Sequence, residues 1–360
     1  MPFIDGLAAA FGRPAPQVGT TPSDVVHREN KWRLLRYRGE KKHATPVLLI
    51  PSLINRHYVL DLMPGKSFAE HLAREGHDVH CIDWGTPSDE DRFVTFDDIC
   101  DRAIARAIRV AGKSSPDGTV HVLGYCLGGT LAAIHAAAHP ERVRSLTLIA
   151  APVRFSDEGL LTAWTSTRTF DVKTLVGALG TVPWQLMQGA FQLLRPTLGL
   201  SKAVTLAHRA SDDPFLDGFF ALETWGNDNV SLPGAFYETY IEDLYRKDLL
   251  IKGELALSGA PARLAAITCP VMCVSFEHDN IVPWRSAAVV LEEVSSAVKE
   301  HVHVPGGHVG AMVSSGAKKR LWPVMSAFWE AHGAPRTSAP SSAAPKAKLW
   351  GAGRSRRKQA

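Results

Sequence analysis

Short apolar runs alternate with amphipathic segments along most of the chain, and this alternation predicts strands and helices in turn. Runs typical of strands lie at 31–38, 46–50, 78–84, 119–123, 143–150, 270–276 and 301–304. Segments with helical periodicity lie at 68–75, 95–111 and 131–138. Because β and α segments follow each other in this way, the sequence predicts a mostly parallel, doubly wound α/β sheet.

The alternation stops between residues 152 and 268. This stretch carries aromatic and long apolar side chains at helical spacing, among them Trp164, Trp184, Met187, Phe191, Phe215, Phe219, Phe220 and Trp225. We interpret it as a helical cap inserted between two halves of one sheet domain, residues 31–151 and 269–332, after an N-terminal segment at 1–30. Such caps usually cover an active site and act as a lid, although the same residues could simply add core packing.

The strongest candidate for chemistry is the sequence Gly124-Tyr125-Cys126-Leu127-Gly128-Gly129-Thr130. It lies between a predicted strand and a predicted helix, the context in which a Gly-x-nucleophile-x-Gly turn presents its central side chain in the α/β-hydrolase fold. Cysteine takes the position that serine has in most such enzymes, and the adjacent helix N-terminus favours its thiolate. The alternative is a buried structural cysteine in an ordinary turn.

A base and an acid follow Cys126 in the order that this fold requires. Asp279 lies in a loop just after the predicted strand 270–276, and we prefer it to the neighbouring Glu277 as the acid. His308 follows the last predicted strand in the glycine-rich sequence Gly306-Gly307-His308, where an imidazole can approach a thiol closely. His301 and His303 alternate along that strand and are interpreted as surface or packing residues. The sequence therefore predicts a Cys126–His308–Asp279 triad.

The formal net charge of +4 comes from the C-terminal end of the chain. Residues 333–360 contain seven Lys or Arg and no acidic residue, so residues 1–332 carry −3. The composition of this tail, rich in Pro, Ala and Ser, predicts disorder. Contact of the tail with nucleic acid or another anionic surface is a weaker alternative.

Cysteine usage and hydropathy favour a cytoplasmic protein. The five cysteines are odd in number and show no metal-ligand spacing, so we expect neither a disulfide framework nor a metal site among them, and no cofactor is expected. No run of 18 or more apolar residues predicts a transmembrane helix, and the first residues lack the pattern of a signal peptide.

Several segments together resemble the polyhydroxyalkanoate synthases, especially the short members that lack a long N-terminal domain. The resemblance covers roughly residues 20–332 and is carried by 51–62, 82–85, 124–130, 222–228, 232–234, 252–255, 279–284 and 306–308. Family members commonly have His directly after the acid, where this chain has Asn280. This departure changes any interaction that the second His makes and leaves the triad unchanged.

The resemblance implies an α/β-hydrolase fold and a polymerising acyltransferase. In such synthases the cysteine attacks the thioester of a 3-hydroxyacyl-CoA, releases CoA and passes the acyl group to the hydroxyl of a growing polyester. His308 would serve as the base, and the family assigns Asp279 either to orienting His308 or to activating the hydroxyl. The backbone N–H of Leu127 and one from Leu53 or Ile54 would hold the oxyanion. A homodimer, a second non-catalytic subunit and association with polyester granules are also implied.

Two other functions remain open from the sequence. A cysteine-dependent hydrolase or thioesterase, similar to the dienelactone hydrolases, would share the triad and release an acid to water. A non-catalytic, granule-associated or regulatory homologue would be expected to carry damage in the triad, and the sequence shows none.

Overall fold

An eight-stranded sheet forms the centre of the molecule in the computed structural model, which describes residue 5 and residues 7–9, 11–167 and 169–334. The described residues contain twelve strands, of which eight form this sheet and four form two short separate pairs. They are β1 Ser23–Glu29, β2 Trp32–Tyr37, β3 Val47–Ile50, β4 Val79–Asp83, β5 Val120–Tyr125, β6 Val143–Ile149, β7 Thr181–Val182, β8 Leu232–Pro233, β9 Ala256–Leu257, β10 Ala260–Pro261, β11 Val271–Phe276 and β12 Lys299–Val304. The basic tail predicted for 333–360 lies, from residue 335 onward, outside the described residues.

The sheet has the order β1-β2-β4-β3-β5-β6-β11-β12. Strand β2 is antiparallel to both of its neighbours, whereas β4, β3, β5, β6, β11 and β12 are parallel. Every residue of β3, β5 and β11 is buried, because helices cover both faces of a parallel sheet. The predicted mostly parallel α/β sheet is therefore confirmed.

The α-helices are α1 Phe68–Glu75, α2 Ile104–Ala111, α3 Leu127–Ala138, α4 Leu160–Thr165, α5 Val172–Leu179, α6 Trp184–Leu194, α7 Leu198–His208, α8 Asp213–Asn227, α9 Gly234–Thr239, α10 Trp284–Ala288, α11 Val290–Glu293, α12 Gly310–Val313, α13 Ser315–Arg320 and α14 Trp322–His332. Two π-helical segments, Asp98–Ala103 and Tyr240–Arg246, precede α2 and follow α9. Short 3₁₀ turns lie at His57–Leu60, Asp89–Phe93, Gly112–Ser114, Pro140–Arg142 and Leu264–Ala266. None of the helices in the described ranges is long and apolar enough to cross a membrane.

The first strand lies where the sequence predicts only an N-terminal segment. Strand β1 forms an antiparallel pair with β2 at the edge of the sheet, and Val25 and Val26 remain exposed on it. An edge strand with polar residues on both faces gives no buried apolar run, so the hydrophobic pattern could not reveal it. The sheet therefore begins at Ser23, inside the segment assigned to 1–30.

Residues 152–268 are mainly helical, as the loss of alternation indicated. Helices α4 to α9 lie here, together with the short antiparallel pairs β7–β8 and β9–β10. Phe236 of α9 stacks on Phe96 with ring centroids 5.3 Å apart, which packs this insertion against the sheet domain. Near the start of the insertion, the N–H groups of Phe155 and Ser156 donate 2.9 Å hydrogen bonds to the carboxylate of Asp248, which lies near its end.

Two apolar cores flank the sheet, one on each face. One contains α2, α3 and much of the insertion, and the other contains α1 and α14 with the fully buried Trp322 and Trp329. The Cys126 side chain contacts both cores. The predicted nucleophile thus lies just after β5 and contacts the apolar cores on both faces of the sheet.

Acid should destabilise this fold through two buried histidines on the β5–α3 unit. Burial lowers the pKa of His121 to about 3 and that of His135 to about 4. Above the unfolded-state pKa of about 6.5 neither state is protonated, so no stability is lost there. As pH falls below that value, the unfolded chain binds protons that the folded chain excludes, at up to about 1.4 kcal/mol per pH unit for each histidine.

Urea unfolding at about pH 7.5, 6.5 and 5.5 measures this effect. The His135→Gln variant should lose less free energy of unfolding between the highest and lowest pH than the unmodified chain does. The exposed His208 provides the matched control, because His208→Gln should keep the original pH dependence. An unchanged pH dependence in His135→Gln would show that His135 is not held neutral.

Candidate active site

The turn at Cys126 is strained in the way that a nucleophile elbow requires. Cys126 has φ +54° and ψ −130°, a conformation that costs a non-glycine residue about 1–3 kcal/mol. A side chain at Gly128 would lie 2.2 Å from the Ile50 carbonyl oxygen and 2.4 Å from that of Pro51. A side chain at Gly124 would lie 2.3 Å from the Gly129 Cα. The glycines therefore let helix α3 and the end of β3 approach closely enough to hold Cys126 in this turn.

The predicted oxyanion-hole residues lie on the two elements that approach each other here. Leu127 is the first residue of α3, where a backbone N–H has no acceptor within the helix. Leu53 and Ile54 are buried in the loop after β3, and the Trp84 indole donates a 2.9 Å hydrogen bond to the Pro51 carbonyl at the base of that loop. The Ile54 N–H already donates to Ser52 Oγ at 3.3 Å, which favours Leu53 as the second donor to an oxyanion.

Asp279 and His308, the predicted acid and base, are in direct contact. His308 Nδ1 lies 2.6 Å from Asp279 Oδ2, and their side chains are 8% and 1% exposed. Asp279 Oδ1 accepts 2.9 Å hydrogen bonds from the N–H groups of Ile281 and Val282. These two bonds fix the carboxylate, so its second oxygen is aimed at the imidazole.

Backbone contacts hold the histidine loop. The His278 N–H donates to the Gly306 carbonyl at 2.9 Å, and Gly306 has φ +124°, which favours glycine. The Tyr125 hydroxyl donates to the His308 carbonyl at 3.1 Å, with the two rings 5.4 Å apart. Tyr125 lies inside the recognised motif, but sequence reasoning gave it no role.

Cys126 and His308 also interact electrostatically. Burial lowers the pKa of His308, but the facing Cys126 sulfur and the Asp279 carboxylate outweigh burial and raise that pKa above its ordinary value. With Nδ1 engaged by Asp279, the other ring nitrogen is available to exchange a proton with the sulfur. This arrangement can generate a nucleophilic thiolate beside an imidazolium.

The other candidate residues near the predicted triad make different contacts. Glu277 is exposed, and its N–H donates a 3.0 Å hydrogen bond to the Val304 carbonyl. His301 and His303 each lie 2.8 Å from Ser275 Oγ, in agreement with their interpretation as surface or packing residues. Asn280 is exposed and donates to the His278 carbonyl at 3.1 Å.

The π-helical segment Tyr240–Arg246 adds two tyrosines that sequence reasoning missed. The rings of Tyr240 and Tyr245 are 5.3 Å apart and approach each other edge to face. Burial is the main cause that raises the pKa of both phenols, and the nearby Cys126 sulfur contributes to each shift. A π-helix has no clear sequence signature, although such segments are frequent at functional sites. Both tyrosines belong to the apolar core that the Cys126 side chain also contacts.

The insertion is also joined to the predicted oxyanion loop. Arg56 Nε lies 3.2 Å from Asp228 Oδ1, and the Tyr58 hydroxyl donates to Asp228 Oδ2 at 2.8 Å. The Trp225 indole donates to the Arg56 carbonyl at 2.9 Å. A single carboxylate thus connects the loop that follows β3 to the C-terminal end of α8.

A cavity of about 470 Å³ lies beside the same loop, but the triad residues are not part of its lining. Leu53, Trp32 and Trp84 form part of its apolar wall, whereas Glu90, Asp98 and other charged residues lie at its polar side. The lining therefore does not include Cys126, and Leu53 is the predicted site residue that it does include.

Two family profiles match the chain. One, for the alpha/beta hydrolase fold, covers residues 45–314. The other, for the N-terminus of poly-beta-hydroxybutyrate polymerase (PhaC), covers residues 11–72. The first spans the predicted triad and the second includes the loop with Leu53 and Ile54.

Relatives and solved structures agree with these matches. The chain is 35% identical over 332 residues to the poly(3-hydroxyalkanoate) polymerase subunit PhaC of Haloferax mediterranei, covering 90% of this chain and 68% of the relative. It is 30% identical over 326 residues to the subunit PhaC of Allochromatium vinosum, covering 89% and 91%. A structure of the metagenome-derived lipolytic enzymes LipS and LipT has a TM-score of 0.51 at 15% identity, covering 83% and 97%, and this likeness concerns the fold alone. The resemblance found in the sequence is thereby confirmed, and the chain belongs to the poly(3-hydroxyalkanoate) polymerase subunit family, with the α/β-hydrolase fold.

Proposed function

We propose that this chain polymerises (R)-3-hydroxyacyl-CoA into polyester, with release of CoA, through a thioester formed on Cys126. The observation that carries the proposal is the strained Cys126 turn together with the 2.6 Å contact between His308 Nδ1 and Asp279 Oδ2. The matches to polymerase subunits supply the substrate class.

In the first step the Cys126 thiol gives its proton to His308, and the thiolate attacks the thioester carbonyl. The N–H groups of Leu127 and Leu53 stabilise the tetrahedral oxyanion. The bond to the CoA sulfur then breaks, and His308 returns the proton to CoA as it leaves. One thioester replaces another, so the acyl group stays activated.

In the second step the hydroxyl of the growing polyester attacks the acyl group on Cys126. His308 takes the hydroxyl proton, an oxygen ester forms, and the carbon–sulfur bond breaks. The proton then returns to the Cys126 sulfur. The second step is downhill because an oxygen ester is more stable than a thioester, which is the reason that a cysteine suits this reaction.

Exclusion of water separates a polymerase from a thioesterase. Tyr240 and Tyr245 pack in the apolar core that the Cys126 side chain contacts, and their raised pKa values keep both phenols neutral. A neutral, largely apolar surface favours an ester chain over water. The cysteine-dependent hydrolase is the alternative outcome of the same chemistry, and the insertion supports the polymerase.

Association with other molecules is part of the proposal. Helices α6 and α7 expose apolar side chains, with Leu193 64% and Leu200 71% exposed. Such a surface supports contact with a second copy, a second non-catalytic subunit or a polyester granule. The acyl-CoA and the polyester are the proposed substrates.

Loss of the nucleophile should abolish the reaction. The Cys126→Ala variant, given 3-hydroxybutyryl-CoA, should release CoA at least about 1,000-fold more slowly than the unmodified chain, and Cys126→Ser should fold but be severely impaired. The matched control is Cys269→Ala, since burial raises the pKa of that thiol to about 11 and keeps it unreactive. Product analysis decides between the functions, because polymer supports the proposal and free 3-hydroxybutyrate supports a thioesterase. CoA release that survives in Cys126→Ala would exclude the covalent mechanism.

The roles of Asp279 and His308 can be separated by single-turnover kinetics. His308→Gln should lose both the first burst of CoA and the steady state, because no base remains for the thiol. If Asp279 mainly activates the incoming hydroxyl, Asp279→Asn keeps the burst and loses elongation. The direct contact with His308 Nδ1 favours the orienting role, so we expect Asp279→Asn to lose burst and steady state together. A full burst in Asp279→Asn would contradict that expectation.

Asp228 is expected to position the oxyanion loop. Asp228→Asn weakens the contacts with Arg56 and Tyr58, so CoA release should fall about 10-fold, the order of one lost charged hydrogen bond. Alkylation of Cys126 by iodoacetamide forms no oxyanion and should keep its rate. The control Asp243→Asn, whose partner is the surface residue Lys247, should change neither rate. Equal losses in both assays of Asp228→Asn would indicate a general disturbance of the site.

A further inference from the structure

Three potential metal ligands meet on the face of the sheet that carries α14. His43 lies in the loop between β2 and β3, His77 follows α1, and Glu330 lies on α14. One donor atom from each residue lies within 4.8 Å of the others. The three residues come from separate parts of the chain, so the fold itself brings them together.

The hydrogen bonds around His77 favour one tautomer. The Ser326 hydroxyl donates its one proton to Glu330 Oε1 at 3.3 Å, and Ser326 Oγ also lies 2.7 Å from His77 Nε2. When the hydroxyl donates to Glu330, Ser326 Oγ accepts from His77 Nε2–H, and this tautomer carries a lone pair on Nδ1. His77 is 2% exposed, and its Nδ1 has no hydrogen-bond partner among the described residues. A buried nitrogen with a free lone pair, oriented by a hydrogen bond at the other nitrogen, is the form in which histidine binds metals.

The backbone holds the two histidines together. The Gly76 carbonyl accepts hydrogen bonds from the N–H groups of Lys42 at 2.7 Å and His43 at 3.2 Å. The imidazoles of His43 and His77 stack with centroids 4.2 Å apart and planes 17° apart.

We propose that His43, His77 and Glu330 form a binding site for a divalent transition metal ion of the zinc type. Two imidazoles and one carboxylate make a nitrogen–oxygen ligand set that Zn²⁺, Co²⁺ and Ni²⁺ prefer, whereas Mg²⁺ and Ca²⁺ prefer oxygen ligands alone. The partly exposed His43 and the exposed Glu330 complete the donor set beside the buried His77. Bound metal fastens α14 to the loop before β3, so the site is structural and independent of the reaction at Cys126.

Zinc binding should stabilise the full chain. The chain is first treated with a chelator, and the Cys126→Ala form is measured in parallel because a reactive thiol can bind zinc on its own. With ZnCl₂ well above its dissociation constant, the melting temperature should rise by about 3–5 °C, and MgCl₂ should leave it unchanged. Isothermal titration should give one zinc ion per chain in both forms. Co²⁺ should give visible absorption bands typical of a low-symmetry nitrogen–oxygen site.

Two variants decide whether the three residues hold the ion. The double variant His43→Gln/Glu330→Gln changes two side chains that are not fully buried, and it should fold but lose zinc binding and the cobalt spectrum. The matched control His208→Gln changes an exposed histidine of the insertion and should keep both. Absence of a one-to-one zinc complex in the unmodified chain would overturn the proposal. Binding that is equal in the double variant would also overturn it, because the ion would then lie elsewhere.

Discussion

The close contact between the start of α3 and the end of β3 is the constraint on which the candidate site depends. Gly128 packs against the carbonyl oxygens of Ile50 and Pro51 at distances that no side chain could tolerate. This contact keeps Cys126 at φ +54° and brings the Leu127 N–H near the loop that carries Leu53. A single backbone approach therefore positions the predicted nucleophile near the loop that carries the second predicted oxyanion donor. The strain at Cys126 is tolerated because two apolar cores surround the turn.

The insertion is coupled to the same loop by polar contacts. Asp228 binds Arg56 and Tyr58, and Trp225 binds the Arg56 carbonyl. These residues come from two of the sequence segments that carry the resemblance to the polymerases, 51–62 and 222–228. Their pairing gives a physical reason for that part of the resemblance, because each segment needs the other as its partner.

Much of this arrangement could be predicted from the sequence. Local patterns in the sequence predict the fully buried apolar strands and the helices within 152–268. They also give the order of Cys126, Asp279 and His308 along the chain. Strand β1 could not be predicted, because an exposed edge strand gains its structure from pairing with β2 and from no buried face of its own. Tyr240 and Tyr245 were missed because a π-helix and an approach across the fold leave no periodic signal. His43, His77 and Glu330 of the proposed metal site do not follow a recognisable ligand spacing in the sequence, because only tertiary contacts bring them together.

The electrostatics of the candidate site suggest how one histidine can serve both halves of the proposed reaction. The charge on the Cys126 sulfur is one cause that raises the pKa of His308, while burial lowers it. When Cys126 carries an acyl group its sulfur is neutral, so this contribution disappears and burial weighs more heavily against the charged imidazole. His308 then gives its proton to the leaving CoA thiolate and remains as a neutral base beside the acyl group. The incoming hydroxyl meets that base only after acylation, and the proton that His308 takes from it returns to the sulfur when the carbon–sulfur bond breaks. In the proposed mechanism the nucleophile thus sets the protonation state of its own base, and Asp279 keeps the ring oriented throughout.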